Sequence, residues 1–597
     1  MQPATPELSV PKLQDVVAQL SRGVEEAEIA ALLASAAERL GTKPSLAPNR
    51  SVIQDFRPIY CSLESELAQL YWQQVGVKAF AGNEVPFLIN NDGRLSRAAA
   101  ELAFANCREV PRDGQIRMLE IGAGSGLFAR YFLDAFRGLC RQHGADFWDR
   151  LTYYVSDASR RSVEQWQELG QFDDQRQQVL PGVVDAGSCH ELHTLDGMVV
   201  PLAGLTCAFA HYVLDVLPAA VVRAGAGGPE QLCVRTFLSD EAELQRLCPD
   251  WDVDHLRAAA QSDSAKMQQD LLAVLSLLEF ETAFVPVGED PPPYTDEAIS
   301  FGRDLPRVLL NFGAFACLDR LLAQIEDHGF VLLNDYGPVR DVEVANFGVT
   351  TRFGRSVAMG VNFPLLGYLF EKRGFHVATA SGDEERSIHS RLLTRSHLPA
   401  TLSEFERHFC LEAGRDLDTA LAGGRNAVSL GRVREAFDHF CKAVEREPDN
   451  WCVLGEMAEF LTVNRLPGAI EFALLALRRN PWYSAWLWNT LGDAFYQMDL
   501  VGPAHLAYEK AFCVSPTDVL SNYNLSFTFA AMGRSRDALD ALATALANDL
   551  QGTFRERILH QQQRIVFEIS RRWSGDTQRV WQRASAFELP TDRRLTR

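Results

Sequence analysis

From about residue 50 to residue 400, short apolar runs bounded by Gly, Asp or Asn alternate with stretches of helical periodicity. The runs are RMLEI from Arg117, LTYYVSD from Leu151, LTCAFA from Leu205, QLCVRTFL from Gln231 and GFVLLNDYG from Gly329. Strands that alternate with helices predict an α/β domain with a largely parallel central sheet. Residues 1–49 carry shorter amphipathic patterns that end at the turn-like GTKPSLAPNRS, which predicts a helical N-terminal cap. The triple proline in GEDPPPYTDE removes backbone donors and fixes φ, so it predicts a surface loop. The helical pattern just before it makes residues 240–300 a candidate lid, an insertion longer than a simple crossover needs. Asn311, Asp319 and Arg320 interrupt the apolar stretch Val308 to Ile325, so it reads as a buried or amphipathic helix and not as a membrane span.

After about residue 417 the period changes. Trp488, Leu491, Gly492, Phe495, Ala504, Tyr508, Ala511 and Pro516 follow the 34-residue tetratricopeptide spacing. Ala436, Phe440, Ala443 and Pro448 precede them in the same register, as do Ala469, Ala473, Ala476 and Pro481. Leu525, Phe529, Ala538 and Ala545 continue it, and HQQQRIVFEISRRW reads as the helix that caps the stack. Residues 417–597 are therefore expected to form an all-α repeat domain that binds a protein or peptide, and residues 50–416 a separate α/β domain.

Composition narrows the partners. The 597 residues carry 58 basic and 78 acidic side chains, a formal charge of −20, and the acidic excess lies almost entirely before residue 417. That balance argues against nucleic acid and favours cationic partners. The twelve cysteines include no C-x-x-C pair, so no zinc ribbon is expected and no metal site is assigned. The N-terminus has acids at Glu7 and Asp15 and its first Arg only at Arg22, a start unlike a signal or transit peptide, and the thiols suit a reducing compartment. The expected location is the cytoplasm.

The most specific local pattern is RMLEIGAGSGLFARYFLDAF from Arg117. Glu120 is followed by Gly122, Gly124 and Gly126, and then by a helical pattern. Glycines at that spacing let backbone approach a ligand at the start of a helix. A dinucleotide fingerprint would need glycine at position 127, which is Leu, and no G-x-x-x-x-G-K-[ST] is present for a triphosphate. The E-x-G-x-G-x-G pattern resembles motif I of the class I S-adenosylmethionine-dependent methyltransferases. The resemblance implies a Rossmann-like fold and a loop bordering the cofactor, with Asp157 in YYVSDAS on the ribose hydroxyls and Asp185 in GVVDAG at the adenine edge.

Further segments are similar to the MidA-like methyltransferases, the family that includes the mitochondrial complex I assembly arginine methyltransferase. AHYVLDVLP from Ala210 is similar to that family's N-E-F-F-D-A-L-P, and VLLNDYGP to its L-I-D-Y-G. VNFPLLGYLFEKRGF is similar to its V-D-F-x-x-L, with Asn362 in place of Asp. The family's Asn-Glu pair is His211-Tyr212 here, which removes a carboxylate beside the expected transfer site. The resemblance implies transfer of a methyl group from S-adenosyl-L-methionine to a protein nitrogen, arginine among the candidates, with S-adenosyl-L-homocysteine as product. Asp215 and Asp335 are the candidate acids at the acceptor, with His211, Tyr212 and Tyr336 shaping its pocket. Two alternatives stay open: a small-molecule acceptor, and a scaffold that keeps the fold without turnover.

Overall fold

The computed structural model describes residues 50–77, 91–262, 271–272, 274–344, 351–353, 356–549 and 551–585. The expected N-terminal cap over residues 1–49 lies outside them. The chain divides into two compact units, Met1–His439 and Phe440–Arg597.

In the first unit β1 (Ser51–Pro58) belongs to a small sheet, and the large sheet begins with β2 (Ile116–Ile121), β3 (Leu151–Asp157) and β4 (Val179–Val183). It continues through β5 (Glu191–His193), β6 (Val199–Pro201) and β7 (Leu205–His211). The chain then builds β8 (Ala220–Gly225), β9 (Gly228–Leu238), β10 (Leu278–Pro286) and β11 (Val308–Leu310) of the small sheet before β12 (Ile325–Asp335) returns to the large one. A hairpin of β13 (Thr351–Phe353) and β14 (Ser356–Ala358) precedes β15 (His376–Ala378) and β16 (His389–Thr394).

The large sheet has the order β15-β16-β12-β7-β2-β3-β4-β5-β6. The five strands from β12 to β4 are parallel, while β16 runs antiparallel to β12. This is a Rossmann-like, mainly parallel sheet. From β2 the chain steps outward through β3 to β4, then recrosses to β7 and steps outward the other way to β12. The order therefore reverses between β2 and β7, and the loops leaving those two strands diverge to open a crevice above their carboxyl ends.

Burial on both faces explains the unbroken apolar runs. On one face Leu119, Ala208, Val331 and Leu393 pack under the helices Phe312–Gln324 and Phe363–Lys372. On the other, Phe128, Phe132 and Phe136 are spaced by four along the helix Leu127–His143; Phe128 and Phe132 pack against Phe209, Phe132 also meets Tyr153, and Phe136 stacks on Phe132.

QLCVRTFL does not join this sheet as its pattern suggested. It forms β9 of a separate antiparallel sheet of order β1-β9-β8-β11, with β10 also paired to β9. The reason is local: Gly225 pairs with Gly228, so the chain turns tightly and folds β9 straight back on β8. A parallel partner would have needed a long crossover. Within residues 240–300 the described chain forms short helices at Glu241–Leu247, Val253–Ala260 and Thr295–Phe301, with β10 among them. Val308 to Ile325 splits into β11 and the helix Phe312–Gln324. No described helix is long and apolar enough to cross a membrane.

The second unit is a tetratricopeptide solenoid. Its helices pair as Trp451–Val463 with Ala469–Arg479, Ala485–Gln497 with Val501–Val514, and Val519–Ala531 with Ser535–Asn548, closed by Arg555–Ser585. Small residues set how closely each pair approaches: a Cβ on Gly492 would lie 2.3 Å from the Tyr508 ring, and Ala504 and Ala511 are fully buried.

Candidate active site at the switch point

The glycine turn after β2 is pinned from both sides. Gly122, Gly124 and Gly126 have φ of 63°, 53° and 69°, the left-handed region that side chains disfavour. The Ala123 N–H donates to Ser156 O at 2.9 Å and the Gly124 N–H to Asp157 Oδ2 at 2.9 Å. From the other side Trp166 Nε1 donates to Gly124 O at 3.1 Å and Gln171 Nε2 to Ser125 O at 2.9 Å. A Cβ at Gly122 would lie 2.6 Å from Val213, and one at Gly126 2.8 Å from Gln171 Nε2, so the turn has no room for larger residues. The result is a rigid concave backbone leading into the helix Leu127–His143, whose N-terminal dipole favours electron-rich ligand atoms.

Asp157 ends β3 beside this turn. Its two oxygens accept from the backbone N–H groups of Gly124 and Ser159, the latter at 2.8 Å, and each keeps a lone pair for a further donor such as a hydroxyl. Burial pushes its carboxyl up to about 6 against the pull of those hydrogen bonds. Glu120 sits inside the sheet, one residue before the turn, where it accepts from Tyr153 OH at 3.1 Å. Burial raises it to about 8, with the Asp157 charge adding to the rise. Asp185 lies exposed past the end of β4 and accepts the Gly187 N–H at 2.8 Å within its own turn.

Across the crevice, the chain leaving β7 is held in a strained arc. Tyr212 has φ of 50°, which costs an aromatic residue roughly 1–3 kcal/mol. Its N–H donates to Asn334 O at 3.0 Å, tying the arc to β12. Asp335, at the end of β12, organises the next turn: its Oδ2 accepts from Leu214 N at 3.2 Å and Asp215 N at 3.3 Å, and its Oδ1 from Tyr336 N at 2.9 Å. Met359 N donates to Asp215 O at 2.7 Å and Val361 N to Tyr336 O at 2.8 Å. A Cβ on Gly337 would strike Val361 O at 2.1 Å, so this closure needs glycine.

The arc leaves several buried polar atoms without partners: both ring nitrogens of His211, Tyr212 OH, Asp215 Oδ1 and Asn334 Oδ1. Native interiors hold few such atoms, and a cluster of them marks a surface shaped for a ligand. Burial drives His211 down to about 3, so its imidazole is neutral and offers one donor and one acceptor to a ligand. Burial pushes Asp215 up to about 7 and holds Asp335 well above the usual carboxylate range, with the Asp215 charge adding to the rise at Asp335. Neither acid forms an ion pair with a described Lys or Arg.

These positions predict two results without any substrate. Glu120, Asp157 and Asp215 keep their protons to higher pH in the folded chain than in the unfolded one, so their contribution to stability is full below about pH 4 and is lost as pH rises through about 8, 6 and 7 respectively, and Asp335 acts in the same direction. His211 acts with the opposite sign, below about pH 6.5 where the unfolded imidazole protonates. The melting midpoint should therefore fall between about pH 7 and pH 8.5, and Asp215→Asn should flatten that fall. Tyr212→Phe removes an orphaned hydroxyl and should stabilise the ligand-free chain by about 1 kcal/mol in thermal unfolding; a lower midpoint would show that the hydroxyl already has a partner.

The structure thus brings the glycine turn, Glu120 and Asp157 together at the ends of β2 and β3, and His211, Tyr212, Asp215, Asp335 and Tyr336 at the ends of β7 and β12. Asp185 stands apart from both groups, at the end of β4. Sequence reasoning missed Trp166, Gln171 and Asn334, because their roles depend on carbonyls and strands remote in the chain. It also read Asn362 only as a departure from Asp. The amide is required where it sits: Oδ1 caps Leu365 N at 3.1 Å while Nδ2 donates to Leu309 O at 2.8 Å, which no carboxylate can do.

Comparison with known proteins follows the same lines. Residues 99–358 match the family described as "Putative S-adenosyl-L-methionine-dependent methyltransferase". The matched span holds the glycine turn, Asp157, Asp185 and the whole arc from His211 to Tyr336. A Burkholderia thailandensis protein crystallised with S-adenosyl-homocysteine is 13% identical, with a TM-score of 0.35 over 59% of this chain and 97% of its own. A second structure from that organism is 15% identical, with a TM-score of 0.37 over 67% and 97%. A tetratricopeptide protein from Thermus thermophilus is 26% identical, with a TM-score of 0.23 over 27% of this chain and 89% of its own. No curated protein matches the chain.

Proposed function

We propose that the chain is an S-adenosyl-L-methionine-dependent N-methyltransferase acting on a protein or peptide, with an arginine guanidinium as the acceptor and the repeat unit as the recruiting module. The observation that carries this reading is the Asp215–Asp335 pair: two buried carboxylates without a cation, next to further unpaired acceptors, at the end of β7. A guanidinium brings a positive charge and five N–H donors in a plane, which is what such a set lacks. Its arrival would favour ionisation of Asp215, whose free Oδ1 is then placed to orient the acceptor and to take a proton from it.

When bound, S-adenosyl-L-methionine supplies an electrophilic methyl group on a sulfonium and leaves as S-adenosyl-L-homocysteine. The residues present fit it: Gly122, Gly124 and Gly126 give a backbone cradle without side chains, Asp157 offers lone pairs to the ribose hydroxyls, Asp185 stands on the adenine side, and Glu120 stiffens the base of the turn through Tyr153. Tyr212, Tyr336 and His211 form the wall that fixes the acceptor's approach and keeps water out. We place the catalytic domain at residues 50–416 and the repeats at 417–597, and the protein in the cytoplasm, where its twelve free thiols are stable.

A second reading, methylation of a small-molecule acceptor, is favoured by the Tyr212 ring where the resembling family has Glu. Incubation of the chain with methyl-labelled cofactor and a cell lysate separates the two. Label in protein, recovered as methylarginine after hydrolysis, supports the first reading; extractable label supports the second; cofactor binding with no transfer would overturn both and leave a scaffold.

A further inference from the structure

We infer that a cavity on the flank of the small sheet, where the helices Glu241–Leu247 and Val253–Ala260 meet β1, takes a guanidinium group, the side chain of an arginine presented by a peptide or protein. Its value to a methyltransferase rests on the reading above, but its geometry and its test do not.

The cavity has a volume of 280 Å³, and its lining includes Ser51, Glu241, Leu244, Trp251, Asp252 and Val253. Sites for small molecules occupy roughly 300–1,000 Å³, so this one has room for a single side chain and not for a nucleotide. Its floor is apolar. Leu244 is 1% exposed in the core beneath the two helices, and Trp251 and Val253 pack against that same core. His255 stacks on the Trp251 indole at 4.8 Å with the ring planes 23° apart, so one face of the indole is covered and the cavity meets what remains. The ring is thereby held in place.

The acids of the lining stand toward solvent, and two of them have an oxygen to spare. Glu241 Oε1 accepts from Ser51 Oγ at 2.6 Å, and Asp252 Oδ1 accepts from the His255 N–H at 2.8 Å as the N-cap of its helix. The second oxygen of each accepts from no described donor, and neither acid is paired with a described Lys or Arg. Arg257 also lines the cavity but is committed elsewhere, through Nη1 to Asp254 at 2.9 Å and through Nε to Val52 O at 2.8 Å. The unmatched charge is negative, which repels phosphates and carboxylates. A guanidinium answers both parts of the lining: it is flat and weakly hydrated, so it lies on an indole while its in-plane N–H groups reach the two carboxylates. An ammonium group satisfies the acids but holds its water more tightly.

The test is fluorine NMR of the full chain carrying 5-fluorotryptophan, with Trp251→Phe assigning one resonance among the ten tryptophans. N-acetylarginine methylamide should move the Trp251 resonance saturably, with half-saturation at about 1–10 mM. The citrulline analogue has nearly the same shape without the charge and should leave the resonance in place. The lysine analogue should need at least about fivefold higher concentration. Glu241→Gln combined with Asp252→Asn should weaken the arginine analogue about tenfold at an unchanged melting midpoint, because Gln still accepts from Ser51 and Asn still caps the helix. A resonance that does not move, an equal response to the citrulline or lysine analogue, or undiminished binding in the double variant would overturn the inference. The readout involves neither cofactor nor methyl transfer, so a chain that fails to methylate can still pass it and a chain that methylates can still fail it.

Discussion

Gly124→Val is expected to lower affinity for S-adenosyl-L-methionine at least about a hundredfold while leaving the repeat unit folded. Gly124 has φ of 53°, where a β-branched residue is a true outlier. It cannot relax, because its N–H is bound to Asp157 and its carbonyl to Trp166. The chain must either accept strain of roughly 1–3 kcal/mol or break one of those bonds and release the Asp157 carboxylate. Either route removes the concave backbone. Gly114→Val supplies the control, since a Cβ there meets nothing within 4 Å and its φ is ordinary. Calorimetric titration with the cofactor reads both variants; retained affinity in Gly124→Val would remove the turn from the cofactor site.

Asp215→Asn is expected to reduce kcat at least about a hundredfold with cofactor affinity within about twofold of the parent. The side chain loses its charge and keeps its size, and its free Oδ1 makes no structural hydrogen bond that the change would break. In the parent chain, kcat/KM should rise with pH through about 7 as Asp215 ionises, and this limb should vanish in the variant. Asp335→Asn should behave differently. Its oxygens already accept three backbone N–H groups, so an amide nitrogen there opposes donors and should cost stability as well as rate. Equal melting midpoints for the two variants would contradict this division of roles. An Asp215→Asn chain with parental kcat would take Asp215 out of the chemistry.

Four of the five strand-like runs took their places in the parallel sheet because burial on both faces leaves the same trace in any strand, an unbroken apolar run. QLCVRTFL carries that trace too, yet Gly225 to Gly228 turned it into a hairpin partner of β8. The signal was four residues upstream of the run and outweighed it. The glycine turn was legible because glycine at alternate positions has few other physical uses, and Asp157 because it ends the adjacent strand. The arc after β7 was legible only as residue types. Nothing in AHYVLDVLP shows that Tyr212 takes a left-handed conformation, that Asp335 holds the turn at Asp215, or that the nitrogens of His211 face no partner. Those properties arise where β7 meets β12, more than a hundred residues apart in the chain. The repeats were legible throughout, since each packs only against its neighbours and so repeats its small residues at Gly492, Ala504 and Ala511.

The central claim is that the turn after β2 and the carboxylate ending β3 hold the adenosyl donor. A crystal structure of the chain soaked with S-adenosyl-L-homocysteine tests it most directly. The account predicts the ribose hydroxyls on the Asp157 carboxylate and the amino acid portion against the backbone of Gly122 to Gly126, with the sulfur facing Asp215. Density for the ligand elsewhere, or Asp157 still bound only to Gly124 and Ser159 in a fully soaked crystal, would contradict it.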